Sequence, residues 1–281
     1  MKWVWAGALT ILLTLSACGG PESRYVKVKG SETVLPIGLI LAEECGKRPS
    51  LPDVSVSAGG SGVGIAALLN GNADVAMSSR AVKLEEKIKF AVKGMEPVEV
   101  VPAYDALAVI VHPSNPLDTL TLQDLKKIYQ NGISRWSEIG GPDKPILAFN
   151  RESSSGTYEF FRQRVLENET FGNLESVGAN GELSEKVAEN ENALGYVGVA
   201  YVDLRRVKVL KVYNPELGRS VPATVAASLD GSYPLARPLY FYYVKGANES
   251  VTRVMDFLVS PEGQEAVRST GYPPNPKYYR K

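Results

Sequence analysis

From Tyr25 onward the chain alternates short apolar stretches with helix-like segments. That alternation restricts it to α/β architectures in which helices cover a largely parallel sheet. Tyr25-Val26-Lys27-Val28-Lys29 has a period of two and is broken by Gly30; Thr33 to Cys45 then reads as a helix entered through Ser31 or Thr33. Val54 to Ser57 is a second strand, followed by Gly59-Gly60-Ser61-Gly62-Val63-Gly64 and a helix from Ile65 to Asn70. Asp74 to Met77, Val98 to Val101 and Leu107 to Val111 read as further strands, and His112-Pro113-Ser114-Asn115-Pro116 as a break. A second set follows, with helices at Leu122 to Gln130, Thr157 to Glu167 and Ser184 to Asn192, and extended segments at Ile146 to Phe149 and Tyr196 to Val199. A bulky strand, Leu239 to Val244, and a helix, Val251 to Val259, end the chain. Two halves of roughly 120 residues each fit ordinary domain sizes. The cleft where they meet is the expected home of a small-molecule site.

Composition removes whole classes of function. Of 281 residues, 31 are Lys or Arg and 31 are Asp or Glu, so the basic excess of a nucleic-acid binder is missing. One histidine and two cysteines leave no His-rich metal site and no disulfide framework, and neither a metal nor a cofactor is expected. The N-terminus departs from this ordinary composition. Lys2, the apolar run Trp3 to Leu15 and Leu15-Ser16-Ala17-Cys18 read as a signal peptide over residues 1–17, too short to span a membrane comfortably. Leu-Ser-Ala-Cys also resembles the bacterial lipobox, which implies lipidation of Cys18 and a tether over residues 18–24. The alternative is a plain secretory signal in which Cys18 is incidental. With the anchor in place, Cys45 is the only thiol left to the exported domain.

Three segments place small hydroxyl or glycine residues just before a helix: Gly30-Ser31-Glu32-Thr33, Gly60-Ser61-Gly62 and Ser153-Ser154-Ser155-Gly156-Thr157. A helix N-terminus exposes unpaired N–H groups and partial positive charge, glycine admits an anion to the backbone, and Ser or Thr adds a donor. Each loop alone is equally well an ordinary helix cap. Arg151, just ahead of the third, can fork onto a tetrahedral oxyanion or form a surface salt bridge with Glu152 or Glu159. Arg80 is a weaker second cation.

The motifs that carry these residues occur in a telling order: Gly30-Ser31-x-Thr33-Val34-Leu35-Pro36, Gly59-Gly60-Ser61-Gly62, Ala73 to Arg80, Tyr104 to Val109, Arg151 to Thr157, Leu194 to Val197, Tyr233 to Tyr240 and Ser260 to Gln264. Together, from about Val28 to Tyr272, they closely resemble the phosphate-binding lipoproteins of bacterial phosphate ABC importers. The resemblance implies a two-lobed fold of the periplasmic-binding-protein type II, with a mixed sheet flanked by helices in each lobe and two crossover strands as hinge. Lobe I is placed at 25–110 and 235–281, lobe II at 111–234, and the crossovers near Leu107–Val111 and Leu239–Val244. It further implies phosphate in the cleft, held by Thr33 and the Val34 amide, Ser61, Arg151, Ser155, Gly156 and Thr157, with Ser31 and Ser79 as further contacts. The expected partners are inorganic phosphate, a permease and an ATPase subunit, and the membrane through the lipid anchor; the chain is expected to be a monomer.

Discrimination needs an acceptor, because phosphate near neutral pH keeps a proton and sulfate keeps none. Some relatives have an aspartate just after the segment matching Met77-Ser78-Ser79, where this chain has Arg80. Asp105 is therefore the candidate acceptor and Glu32 the second choice; a turn-capping role is the alternative for Asp105. Catalysis finds little support, since His112 is the only imidazole, Gly59-Gly60-Ser61-Gly62-Val63 fails the nucleophile-elbow pattern and no P-loop exists. A surface sensor or adhesin, or a binder of another tetrahedral oxyanion, remains compatible with the same residues.

Overall fold

The computed structural model describes residues 25–279. The signal peptide, Cys18 and the tether lie outside the described residues. In chain order the first elements are β1 (Tyr25–Gly30), α1 (Leu35–Gly46), β2 (Asp53–Ala58), α2 (Ser61–Leu69), β3 (Val75–Ser78), α3 (Leu84–Val92) and β4 (Pro97–Val111). Then come β5 (Thr119–Leu120), α4 (Leu122–Tyr129), β6 (Leu147–Arg151), α5 (Gly156–Arg164), β7 (Glu175–Val177), α6 (Asn180–Ala188) and β8 (Ala193–Gly198). The chain closes with β9 (Lys208–Asn214), β10 (Arg219–Val221), α7 (Val225–Leu229), β11 (Ala236–Val244), α8 (Glu249–Val259) and α9 (Pro261–Ser269).

The strand order β2-β1-β3-β11-β4-β8-β6-β7 reads as two sheets joined through β4. In the first, β1 is parallel to β2 and β3, and β11 runs antiparallel between β3 and β4. β4 pairs with β11 up to Ala106, then from Leu107 to Val111 with β8, and over its last residues with β9 as well. Both sheets are mixed, and helices cover both faces of each. Side-chain alternation along β4 serves the second sheet on its two faces: Leu107, Val109 and Val111 join a core with Tyr129, Phe161 and Tyr196, while Ala108 and Ile110 join Leu183, Val187 and Val197. In the first sheet Val26, Val28, Ile37, Leu41, Met77 and Phe241 pack beneath α1, α8 and α9, and Ile65, Leu68, Phe90 and Tyr242 pack on the opposite face. Cys45 lies inside the first of these cores, and burial pushes its thiol pKa up to about 11. Among the described residues no helix is long and apolar enough to cross a membrane.

Several expectations are corrected. Val98–Val101 and Leu107–Val111 are parts of one 15-residue strand. Pro102, which suggests an interruption because it has no N–H to donate, sits opposite a register shift between Leu239 and Phe241 that absorbs it. Asp105 is therefore a strand residue and not the cap of a turn. The strand Leu239–Val244 belongs wholly to the first sheet. The second crossing comes earlier, where the Leu107 amide donates to Leu235 O at 3.0 Å and the Tyr233 hydroxyl to Leu107 O at 2.8 Å. β4 changes partners at Ala106/Leu107, ahead of the expected boundary at residue 110. Helix α6 starts at Asn180, before the expected Ser184. Helix α3 has no counterpart in the sequence reading. Its Leu84, Ile88 and Val92 are 75%, 54% and 82% exposed, and of its large apolar residues only Phe90 faces a core.

Gly30 ends β1 with φ +145, and a Cβ there would stand 2.1 Å from the Met77 carbonyl oxygen of the neighbouring strand. Because that neighbour is backbone, it cannot rotate away. Gly30→Ala should lower stability by about 2 kcal/mol or more in urea unfolding, and an unchanged midpoint would refute this account of the turn.

Candidate functional site

Four helix N-termini meet where the two sheets face each other, those of α1 and α2 from the first sheet and α5 and α6 from the second. Each follows a strand end, so the strand directions aim their unpaired N–H groups into the gap. Pro36 in the first turn of α1 suits a position that needs no donor. Gly60 precedes α2 with φ +99 and lies so close to Ser154 O that a Cβ would come within 2.6 Å. Ser155 caps α5 by accepting from the Thr157 amide at 3.1 Å.

The structure brings most of the sequence-selected residues together. Thr33 Oγ1 and Thr157 Oγ1 are 2.8 Å apart across the cleft. Ser61 Oγ accepts from the Ser79 amide at 3.1 Å and lies 3.4 Å from Ser79 Oγ. A Cβ on Gly156 would fall 2.1 Å from Ser61 Oγ and 2.6 Å from Ser79 Oγ, so the absence of a side chain at 156 lets α5 approach α2. Ser31 is buried, and its Oγ accepts from the Val34 amide at 3.4 Å, a local turn contact that also engages Val34. A partly open cavity of about 110 Å³ lies beside this cluster, lined by Glu32, Gly60, Arg151, Glu152, Ser154, Ser155 and Gly178 among others.

Arg151 is 1% exposed, which removes the surface salt bridge with Glu152 or Glu159. Its Nε donates to Val177 O at 3.2 Å, Nη1 to Asn180 Oδ1 at 2.6 Å, and Nη2 to Gly178 O at 2.6 Å and Glu32 Oε2 at 3.4 Å. Burial lowers its pKa from the ordinary arginine value, and the nearby Glu32 charge opposes that fall. Glu32 reaches across from the first sheet to the start of α6, where Oε2 accepts from the Asn180 amide at 3.0 Å and also from Asn180 Nδ2. The Tyr201 hydroxyl donates to Glu32 O at 2.6 Å. Arg80 does not face this cavity as a free cation: it forms a two-point pair with Glu86, at 2.8 and 2.7 Å, and donates to Ala81 O.

Asp105 is completely buried, one residue short of Ala106, the last β4 residue paired in the first sheet. Its Oδ2 accepts from Arg237 Nε at 3.0 Å and Nη2 at 2.8 Å, and its Oδ1 from the Val199 amide at 3.0 Å. Arg237 Nη2 also donates to Thr157 Oγ1 at 3.0 Å. Sequence reasoning placed Tyr233 to Tyr240 in a motif but overlooked Arg237; the available signal was its strand register opposite Asp105, which exists only once β11 is paired. Asn180 lies ahead of the helix expected from Ser184, so the sequence does not mark it. Among the described residues no group of three or more His, Cys, Asp or Glu side chains could hold a metal.

A further contact bridges the sheets. Lys83, before α3, pairs with Glu159 of α5 at 3.2 Å, and Arg162 and Gln163 also donate to Glu159. Burial pulls the Glu159 carboxyl pKa upward, but the hydrogen bonds from Arg162, Gln163 and Lys83 outweigh it and hold the value at about 2. Its stabilising contribution is therefore complete above about pH 4.5 and disappears as the pH falls towards about 2. Thermal unfolding of wild type and Glu159→Gln should differ most near neutrality and converge near pH 2; a gap independent of pH would contradict this pairing.

The chain is also similar to known proteins. Residues 16–262 match the family model described as a PBP superfamily domain. The chain is 32% identical over 267 residues to Protein SphX of Synechococcus elongatus, covering 91% of this chain and 79% of that protein. It is 31% identical over 298 residues to Phosphate-binding protein PstS of Staphylococcus haemolyticus, covering 98% and 93%. A phosphate-bound structure of a phosphate ABC transporter substrate-binding protein from Clostridium perfringens superposes with a TM-score of 0.79 at 35% identity, covering 89% of this chain and 99% of that one.

Proposed function

The chain belongs to the PBP superfamily and, within it, to the PstS-type phosphate-binding proteins, and on that premise we propose that it captures inorganic phosphate between its two sheets and hands it to an ABC permease. The observation that carries the reading is the partly open cavity in which Gly60, Arg151 and Ser155 meet beside the hydroxyls of Thr33, Ser61, Ser79 and Thr157. Helix N-termini, hydroxyls and a guanidinium are the groups that replace the hydration shell of a tetrahedral oxyanion.

Lobe I comprises the first sheet and its helices, lobe II the second, and β4 with the Tyr233–Ala236 crossing forms the hinge between them. Phosphate enters an open cleft, contacts Thr33, Val34, Ser31, Ser61 and Ser79 on one side and Arg151, Ser155, Gly156 and Thr157 on the other, and closure follows because only the closed form satisfies all of these donors. The role is capture without covalent chemistry. A permease and a separate ATPase subunit complete the importer. A lipid on Cys18 holds the monomeric receptor at the outer face of the membrane and raises its effective concentration there.

Asp105 supplies discrimination. Three hydrogen bonds already occupy its oxygens, which leaves acceptor capacity on Oδ1 for a phosphate proton. Sulfate offers no proton, so the same carboxylate repels it. Calorimetric titration of ligand-stripped protein should show tight phosphate binding and weak sulfate binding; preference for sulfate or another oxyanion would reject the phosphate reading. Asp105→Asn should weaken phosphate and relax the rejection of sulfate, and unchanged selectivity would remove Asp105 from this role. Arg151→Ala should weaken all oxyanions alike, by roughly 10-fold or more, through the lost charge-assisted donor.

A further inference from the structure

Arg237 is 2% exposed and sits at the junction of the two sheets, on β11 opposite Asp105 of β4. Its guanidinium is held on several sides. The Nε and Nη2 edge lies on Asp105 Oδ2, the remaining capacity of Nη2 goes to Thr157 Oγ1, and the Phe160 ring stands 5.1 Å from the guanidinium carbon. The Nη1 nitrogen, by contrast, has no hydrogen-bond partner among the described residues, although it is buried. The other buried side-chain atom in that condition, Asn192 Oδ1, is an acceptor and not a cation's donor.

An unpaired donor on a buried cation is costly, and native folds rarely leave one without use. In a guanidinium, Nη1 shares its outer edge with Nη2. That is the edge Arg237 turns towards Thr157, and Thr157 Oγ1 in turn meets Thr33 Oγ1 across the cleft. The direction of the unused donor is therefore set by a hydroxyl that already belongs to the anion cluster. Arg151, the cation the sequence singles out, spends most of its N–H groups on Val177 O, Gly178 O, Asn180 and Glu32.

We infer that Arg237 is a second guanidinium ligand for the oxyanion, donating through Nη1, with Asp105 as the positioning residue that fixes its orientation. This inference rests on the phosphate reading above. Arg237 stands on β11 opposite Asp105, next to the Tyr233–Ala236 crossing, and Arg151 ends β6 in lobe II, so a bound oxyanion takes one cation from each. Glutamine at 237 keeps a neutral donor and removes the charge; lysine keeps the charge and removes the fork.

The test is calorimetric titration of wild type, Arg237→Lys and Arg237→Gln with inorganic phosphate, each first checked for folding by circular dichroism. Arg237→Gln should bind phosphate roughly 10- to 100-fold more weakly, and Arg237→Lys should recover part of the loss. A folded Arg237→Gln that binds as tightly as wild type overturns the inference while leaving the phosphate reading intact. Wild-type protein that ignores phosphate overturns both. Because Arg237→Gln alone strands Asp105 as a buried unpaired charge, the neutral pair Asp105→Asn with Arg237→Gln is titrated beside Asp105→Asn; equal affinities of these two variants also overturn it. Should the Arg237 variants fail to fold, nitrogen-15 spectra of arginine side chains in wild type decide: a guanidinium resonance other than that lost in Arg151→Ala must shift on phosphate addition, and the absence of any such shift refutes the assignment.

Discussion

The buried pair of Asp105 and Arg237 stands at the point on which the architecture turns. Asp105 is the penultimate residue of β4 before that strand leaves one sheet for the other, and its partners come from β11, from the Val199 backbone and, through Arg237, from the start of α5. An ion pair with almost no exposure gains little net stability against the cost of removing both charges from water. It does impose one geometry, because neither member tolerates losing the other. The crossing strands, the first turn of α5 and the loop after β8 are thereby fixed relative to one another.

Around that fixed point the two sheets present the same device from opposite sides. Each strand that ends at the gap is followed by a small or hydroxyl residue and then a helix, so polar backbone groups converge without any being drawn from regular structure. The contacts that hold the sides together are themselves polar: Glu32 on Asn180 and Arg151, Lys83 on Glu159, and Gly62 N donating to Ser154 O at 3.2 Å. Polar contacts of this kind exchange readily with water. Most apolar burial, by contrast, lies in cores of their own on each sheet, with Val199 packed against two of them.

Much of this was legible beforehand, and what was not has physical causes. Strong periodic segments such as Tyr25–Gly30, Leu122–Tyr129 and Glu249–Val259 announce themselves, since their burial follows their pattern. The glycine- and hydroxyl-rich loops point to an anion site by their number and by the arginine beside one of them, since each alone is equally well an ordinary helix cap. Asn180 and Arg237 escaped because their roles depend on partners far along the chain, Glu32 and Thr33 for one, Asp105 and Thr157 for the other. Helix α3 escaped for the opposite reason: Leu84, Ile88 and Val92 face outward, so pattern and burial disagree. Glu32 is second to Asp105 as an acceptor in the sequence, which carries no information about the Arg151 guanidinium it reaches in space.

Cys45 sits in the core beneath α1, away from the polar gap, and burial suppresses its thiolate. An alkylating reagent can capture it only when that core itself opens, whatever the two sheets do relative to each other. The residue thus acts as a clock for the melting of that one core, independent of the contacts made across the polar gap.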